Sequence, residues 1–166
     1  MDANQLKEIQ APLKEQYKKD PQKALVTLKA TSSLGEGITC KVETGKAMVE
    51  AGLHPATGGD GLSVCSGDML LEALSACAGV TLKAVASAIE FELLDAKIHA
   101  EGDLDFRGTL SVDKEAPVGF KKIRLTFELT TNEKQEKIAT LIKLTERFCV
   151  VYQTLKAGND VETIVA

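Results

Sequence analysis

Residues 68–90, DMLLEALSACAGVTLKAVASAIE, carry the clearest periodic pattern in the chain. Apolar side chains recur there at steps of three and four residues, a spacing that places them on one face of an α-helix. The other faces hold mostly Ala, Ser and Gly79, so neighbouring segments can pack closely on several sides. The pattern predicts a long helix at the centre of the fold. Its apolar face comprises Leu70, Leu71, Leu74, Cys77, Ala78, Thr81, Leu82 and Val85.

The chain before this helix has the pattern of short strands. We expect a meander of Leu25–Thr31, Ile38–Glu43 and Lys46–Glu50, because β-favouring runs alternate there with Gly-containing turns. Residues 51–67 are crowded with Gly and Pro and are expected to form a loop that leads into the helix.

The chain after the helix returns to strands and then to helix. Asp95–Phe106 and Lys121–Thr131 are predicted to pair antiparallel, and the second run alternates apolar and polar side chains. Asn132 is a candidate N-cap for a helix over Glu133–Phe148. The inward face of that helix is expected to comprise Ile138, Leu141, Ile142, Thr145 and Phe148.

The last segment begins at Cys149. A short helix is predicted to stop at Gly158, and Val161–Val165 is predicted to form a final strand. The order of elements is then β-meander, helix, β-hairpin, helix and β-strand. This order is typical of an α+β fold with antiparallel sheets.

The N-terminal segment has a separate character. Residues 4–18 place apolar side chains at helical intervals, although Pro12 would interrupt or kink a single helix. We therefore expect residues 1–23 to form an amphipathic helical arm that docks on another surface, and residues 24–166 to form the main domain.

Composition excludes several classes of protein. With 166 residues, 44% hydrophobic and 27% charged, the chain is long enough for a single folded domain and is not typical of a disordered protein. A net charge of −4, without a cluster of basic and aromatic residues, argues against nucleic acid as a partner. The absence of a secretory signal and of an apolar run of about 20 residues favours a cytoplasmic protein without a membrane span.

The four cysteines are expected to be reduced thiols in such a compartment. His54 and His99 stand far from every cysteine in sequence, so their spacing does not predict a zinc site, and we expect neither a metal nor a cofactor. A cysteine on a buried helix face is usually a small hydrophobic residue, and this interpretation applies first to Cys77 and Cys149.

Two sequence motifs, taken together, indicate that these two cysteines do more than pack. GGDG at 58–61 leads into SGDMLLEALSACAGVTLKAV at 66–85, and LTERFCVVYQTL follows at 144–155. In this order they resemble the OsmC/Ohr family of thiol peroxidases, in which a Gly-rich loop precedes a central helix with one cysteine and a second cysteine follows a later helix. Cys77 and Cys149 match these two cysteines, and Val150 stands where the family often has Pro. The resemblance spans residues 24–166, and the arm resembles an extension of one OsmC-like branch.

The resemblance implies an OsmC-like fold in which two chains intertwine as a homodimer. It also implies that Cys77 attacks an organic hydroperoxide, that Cys149 resolves the sulfenic acid as a disulfide, and that a dithiol reductant reopens it. Two further readings of the chain stay open. The protein could keep the fold but bind small apolar ligands, or it could be an interaction protein whose arm is the functional element.

The chain departs from the peroxidase branch at two positions. An Arg from the early strands is missing, since Arg107 is the first in the chain, and Gly67 occupies the position of the Glu that orients it. Asp68 and Glu72 are the nearest acids, although an acid at a helix start, as Asp68 is, has a structural role of its own. We therefore expect a pKa of Cys77 at or above about 8.5 and a slow peroxidase. Candidate substitute cations are Lys29, Lys41, Lys46, Arg107, Arg124 and Arg147, and Cys65 is a candidate alternative resolving thiol.

Overall fold

The structure is a computed structural model that describes residues 3–34, 40–42, 51–62 and 64–165, without the side chains of 3–7, 28–32 and 40–42. The chain forms two compact units. The first unit comprises Met1–Ala30, Glu43–Glu72 and His99–Thr126, and the second comprises Thr31–Val42, Ala73–Ile98 and Phe127–Ala166.

The helices are α1 (Ala3–Lys19), α2 (Ser66–Ala88), α3 (Phe106–Thr109), α4 (Gln135–Phe148) and α5 (Val150–Ala157). The strands are β1 (Leu25–Leu34), β2 (Cys40–Val42), β3 (Ala51–Gly52), β4 (Val64–Cys65), β5 (Asp95–Asp105) and β6 (Lys122–Thr130).

The predicted central helix is α2, which begins two residues earlier than expected. Leu71, Leu74, Ala78 and Leu82 are almost fully buried along one face, as the spacing predicted. Leu70 is 37% exposed, so the buried face is narrower than the apolar face of the sequence. By length and composition alone α2 is long and apolar enough to cross a membrane, a test that core helices of soluble proteins also pass. The expectation that the protein has no membrane span stays a prediction.

A four-stranded sheet has the order β2-β1-β5-β6. β1 and β2 pair antiparallel, with Ser33 opposite Lys41. The predicted β5–β6 hairpin is also antiparallel, because Lys121 N donates to Asp103 O (2.8 Å) near one end and Leu94 N donates to Thr130 O (3.0 Å) near the other. Lys46–Glu50, predicted as a strand, lies outside the described residues.

The segment 51–67, predicted as a loop, contains regular structure. Ala51–Gly52 and Val64–Cys65 form a short parallel pair, β3 and β4. Between these two strands, position 59 accepts only glycine, because a Cβ added to Gly59 would lie 1.8 Å from the carbonyl oxygen of Leu53. This loop is therefore a closely packed turn that delivers the chain to α2.

The helices of the C-terminal half correct two sequence predictions and confirm a third. Lys134, not Asn132, occupies the N-cap position of α4, and it makes no side-chain cap hydrogen bond. Leu141 and Thr145 are buried, but Phe148 is 56% exposed, because α4 ends there and the chain changes direction. Gly158 follows α5 as predicted, with φ 64°.

The predicted final strand, Val161–Val165, is absent: described residues 158–165 take no regular structure. Val161 is 83% exposed and Val165 is 94% exposed. An alternating apolar run becomes a strand when another strand supplies hydrogen bonds, and no described strand of this chain pairs with it.

The arm is a single helix that Pro12 does not interrupt. It docks within the first unit, where the Tyr17 hydroxyl donates to Ala56 O (2.7 Å) and Gln10 Nε2 donates to Thr57 O (3.0 Å). The domain boundary at residues 23 and 24, and the intertwined dimer, stay predictions.

Candidate functional site

Cys77 and Cys149 both belong to the second unit and both are free thiols. Cys77 lies in the middle of α2 and is half-buried, next to the buried residues Leu74 and Ala78. Cys149 joins α4 to α5 and is 1% exposed. Both predicted cysteines therefore lie within a helix or directly at a helix end.

The backbone of Cys149 is held by both helices that meet there. Its N–H donates to Thr145 O (2.9 Å), and its carbonyl accepts from Gln153 N (2.9 Å). Cys149 is both the C-cap of α4 and the N-cap of α5, and its backbone is extended, with φ −71° and ψ 108°. The amide groups of the first turn of α5 consequently follow directly after this cysteine.

The Cys77 thiol is influenced by this helix start. Hydrogen bonding from the backbone of Val151 and Val150, the thiol of Cys149 and the hydroxyl of Thr81 lowers the pKa of Cys77. Cys77 in turn raises the pKa of Cys149, so the two thiols are neighbours. None of these four donors carries a formal charge.

The pKa values of the two thiols shift in opposite directions. Burial raises the pKa of Cys77, but the hydrogen bonds outweigh burial and hold this pKa below the ordinary cysteine value. Burial raises the pKa of Cys149 to about 11, and the neighbouring Cys77 adds to the rise. Cys77 is therefore the thiol that ionises first, and Cys149 keeps the shared proton.

This result corrects the expectation that Cys77 would have a pKa at or above that of a free thiol. The expectation assumed that a cation was needed to offset burial. Backbone N–H groups at a helix start carry a partial positive charge, and those of Val151 and Val150 lower the pKa of Cys77. The start of α5 thus favours the thiolate of Cys77 without an arginine.

The three arginines that the sequence offers as substitute cations contact other groups than Cys77. Arg107 pairs with Asp105 (2.6 Å) and Asp113 (3.1 Å), and Arg124 binds Asp103 and Glu101, all within the first unit. Arg147 lies 5.3 Å from the ring centroid of Phe148. The side chains of Lys29 and Lys41, and the whole of Lys46, lie outside the described residues.

Asp68 and Cys65 belong to the first unit. Asp68 lies in the first turn of α2, where burial raises the pKa of its carboxyl and His54 lowers it. Its position fits the structural role of an acid at a helix start. Cys65 lines a cavity of about 420 Å³ together with His54 and Phe106, whose rings stack 5.0 Å apart.

Sequence reasoning missed two groups of donors. Thr81 was assigned to the apolar face of α2 without a role for its hydroxyl, and the N–H groups of Val150 and Val151 were not considered. A signal for the second group was present, since a short helix was predicted between Cys149 and Gly158. A helix that begins directly after a cysteine presents its free amides close to that cysteine.

Among the residues that the structure describes, no group of three or more His, Cys, Asp or Glu side chains is arranged to hold a metal ion. The chemistry that the described second unit offers is that of a thiol pair. One sulfur is favoured as a nucleophile, and the other is a protonated neighbour that can form a disulfide with it.

Comparisons with known proteins agree with the fold. No curated protein matches the chain. A solved structure, an OsmC-like hydroperoxide resistance protein from Jannaschia sp. CCS1, aligns with a TM-score of 0.57 and 18% identity, over 83% of this chain and 91% of that chain. A family model described as OsmC-like protein matches residues 58–164, which contain both cysteines of the pair. With its mixed helices and antiparallel sheet, this chain belongs to the OsmC-like family.

Proposed function

We propose that the protein is a thiol-dependent peroxidase that reduces organic hydroperoxides in defence against oxidative stress. One observation carries the proposal: Cys77 and the buried Cys149 are neighbouring free thiols whose acidities differ, with the pKa of Cys77 lowered and that of Cys149 raised. The similar solved structure is that of a hydroperoxide resistance protein, which supports the same chemistry. Family membership supports it as well.

The first step is attack by the thiolate of Cys77 on the O–O bond of the hydroperoxide. A bond forms between the sulfur and the terminal oxygen, the O–O bond breaks, and the organic fragment departs with the electron pair as an alkoxide. The alkoxide takes a proton and leaves as an alcohol. Cys77 is oxidised to sulfenic acid, and the hydroperoxide is reduced by two electrons.

The second step uses Cys149. Its sulfur attacks the sulfenic sulfur of Cys77, a disulfide forms, and hydroxide leaves and takes up the thiol proton as water. An external dithiol then reduces the disulfide by exchange and is itself oxidised. Cys149 is 1% exposed, so water and other thiols have little access to it before the first step.

A preference for organic hydroperoxides follows from apolar surroundings. Phe148 and Val150 flank Cys149 with 56% and 71% of their surfaces exposed. An alkyl or aryl tail that covers such groups gains about 25 cal/mol per Å² of apolar surface removed from water. Hydrogen peroxide has no tail and lacks this gain.

Turnover with a dithiol tests the proposal. In the presence of excess dithiothreitol, the protein should consume cumene hydroperoxide faster than hydrogen peroxide, and Cys77→Ser should reduce consumption to the uncatalysed rate. Cys65→Ser is the matched control and should keep the activity of the original protein. If Cys77→Ser and the original protein consume the peroxide equally, the nucleophile is misassigned. If neither consumes it, the ligand-binding and interaction roles are favoured.

A further inference from the structure

The first unit contains a cavity that the reaction described above does not use. Its volume of about 420 Å³ falls within the range of about 300–1,000 Å³ that is typical of small-molecule sites. All its lining residues belong to the first unit, whereas Cys77 and Cys149 belong to the second. We propose that this cavity binds a small uncharged aromatic molecule against the rings of His54, Phe106 and Phe120.

Aromatic rings are concentrated in the wall of this cavity. Aromatic residues make up only 4% of the chain, yet Phe106 and Phe120, two of its five Phe residues, line the cavity together with His54. The rings of His54 and Phe106 are stacked, with their centroids 5.0 Å apart and their planes at 22°. Ring pairs attract each other beyond the gain from burial alone, so these walls favour an aromatic ligand over an aliphatic one of the same size.

The aromatic walls are held in place by the protein itself. His54 Nδ1 accepts a hydrogen bond from Ala56 N (3.0 Å), which fixes the imidazole ring. Phe106 is 4% exposed, so its ring is packed on most sides. Phe120 lies directly against Gly102, where an added Cβ would collide with the ring. Walls that are already ordered lose little conformational entropy when a ligand binds.

The polar groups of the wall indicate the charge of the ligand. Among the described residues that line the cavity, none is Asp, Glu, Lys or Arg. An ion placed there would lose water without gaining an opposite charge. Because Nδ1 of His54 is an acceptor, the hydrogen of the neutral ring lies on Nε2, which can donate to a hydroxyl oxygen. Phenol, with one aromatic ring and one hydroxyl, meets these requirements.

Cys65 reports whether the cavity is occupied, because this half-buried free thiol lines it. We expect phenol to bind with a Kd of about 1 mM, as suits so small a molecule. At ten times this Kd, phenol should slow the alkylation of Cys65 by iodoacetamide about tenfold, as measured by peptide mass spectrometry. Cyclohexanol, which has the hydroxyl but no aromatic ring, should bind about fivefold more weakly, and the benzoate anion should not protect Cys65.

Two substitutions test where phenol binds. Leu70 lines the cavity and is 37% exposed, so Leu70→Trp can fill the cavity without disturbing the core, and phenol should then no longer slow the alkylation of Cys65. The matched control is Leu62→Trp at a residue that is 76% exposed and does not line the cavity, and it should bind phenol like the original protein. Phe120→Leu keeps the wall apolar but removes one ring, so it should weaken phenol about fivefold and leave cyclohexanol unchanged.

Three results would overturn the proposal. The first is an alkylation rate of Cys65 that phenol at about 10 mM leaves unchanged, or that phenol and cyclohexanol lower equally. The second is an unchanged Kd for phenol in both Leu70→Trp and Phe120→Leu, which would place phenol elsewhere. The third is a Cys65 that becomes protected without phenol as the protein concentration rises, which would mean that a second copy of the chain covers the cavity.

Discussion

Two identical side chains, Cys77 and Cys149, take different roles because their partners differ. Hydrogen bonding from two backbone amides, a thiol and a hydroxyl lowers the pKa of Cys77, whereas Cys149 is 1% exposed and burial raises its pKa. Each donor favours negative charge on Cys77, and burial disfavours it on Cys149. At the residue scale, the arrangement assigns the nucleophile and its resolving partner.

The pH dependence of peroxide attack follows from these directions. Attack requires the thiolate, so the rate constant should rise tenfold per pH unit below the pKa of Cys77 and level off above it. Because this pKa lies below the ordinary cysteine value, the plateau should begin at a lower pH than for an unperturbed cysteine. Stopped-flow rate constants between pH 5 and 10 would measure it, and a rate still rising tenfold per unit above pH 9 would contradict the assignment.

At the scale of elements, α5 acts through its first turn. It has eight residues, none of them buried, so it adds little to the core. It begins directly after Cys149, and two amides of its first turn lower the pKa of Cys77. A short helix of this kind contributes more to the chemistry of the site than to the packing of the chain.

Val150→Pro tests the contribution of one amide. Proline removes the N–H of Val150 and fits the first position of a helix, and Cys149 before it is already extended with ψ 108°. The pKa of Cys77 should therefore rise, by about half a unit to one unit, while the helix stays intact. Alkylation kinetics measure the shift and far-UV circular dichroism checks the helix.

The matched control is Val150→Ala, which shortens the same side chain and keeps the amide. Its Cys77 should titrate like that of the original protein. If both substitutions shift the pKa of Cys77 equally, the side chain of Val150 matters and its amide does not.

Elements with strong periodicity could be predicted from the sequence, and those that depend on distant partners could not. α2 and the β5–β6 hairpin were expected within two residues of their bounds, because their burial patterns repeat over many positions. The strand expected at Val161–Val165 requires a pairing partner, and local sequence does not show whether one is present. The cysteine pair could be predicted from motifs. The groups that lower the pKa of Cys77 could not, because their positions depend on how α2 and the start of α5 pack together.

At the scale of the whole molecule, the second unit leaves apolar groups uncovered near the thiol pair. Val80 on α2 is 37% exposed, and Phe148 and Val150 beside Cys149 are exposed more widely. Exposed apolar groups that cluster around a site often mark a surface that another molecule covers. We propose that a second copy of the chain covers them, in agreement with the dimer that the family resemblance implies.

Sedimentation tests the dimer. At low micromolar concentration the protein should sediment with about twice the chain mass of 17.8 kDa. Val80→Glu places a charge in the proposed contact and should shift the equilibrium toward the monomer, whereas Glu128→Gln, a substitution on β6, should not. A stable, folded monomer of the original protein at this concentration would contradict the proposal.

The central claim is that Cys77 and Cys149 form one redox pair, and mass spectrometry after a single equivalent of cumene hydroperoxide tests it most directly. The account predicts an intramolecular disulfide that peptide mapping assigns to Cys77 and Cys149, with Cys40 and Cys65 still reduced. In Cys149→Ser the same treatment should leave sulfenic acid on Cys77, which excess peroxide converts to sulfinic acid. An intramolecular disulfide from Cys77 to Cys65 or Cys40, or a Cys77 that stays reduced while peroxide is consumed, would contradict the claim.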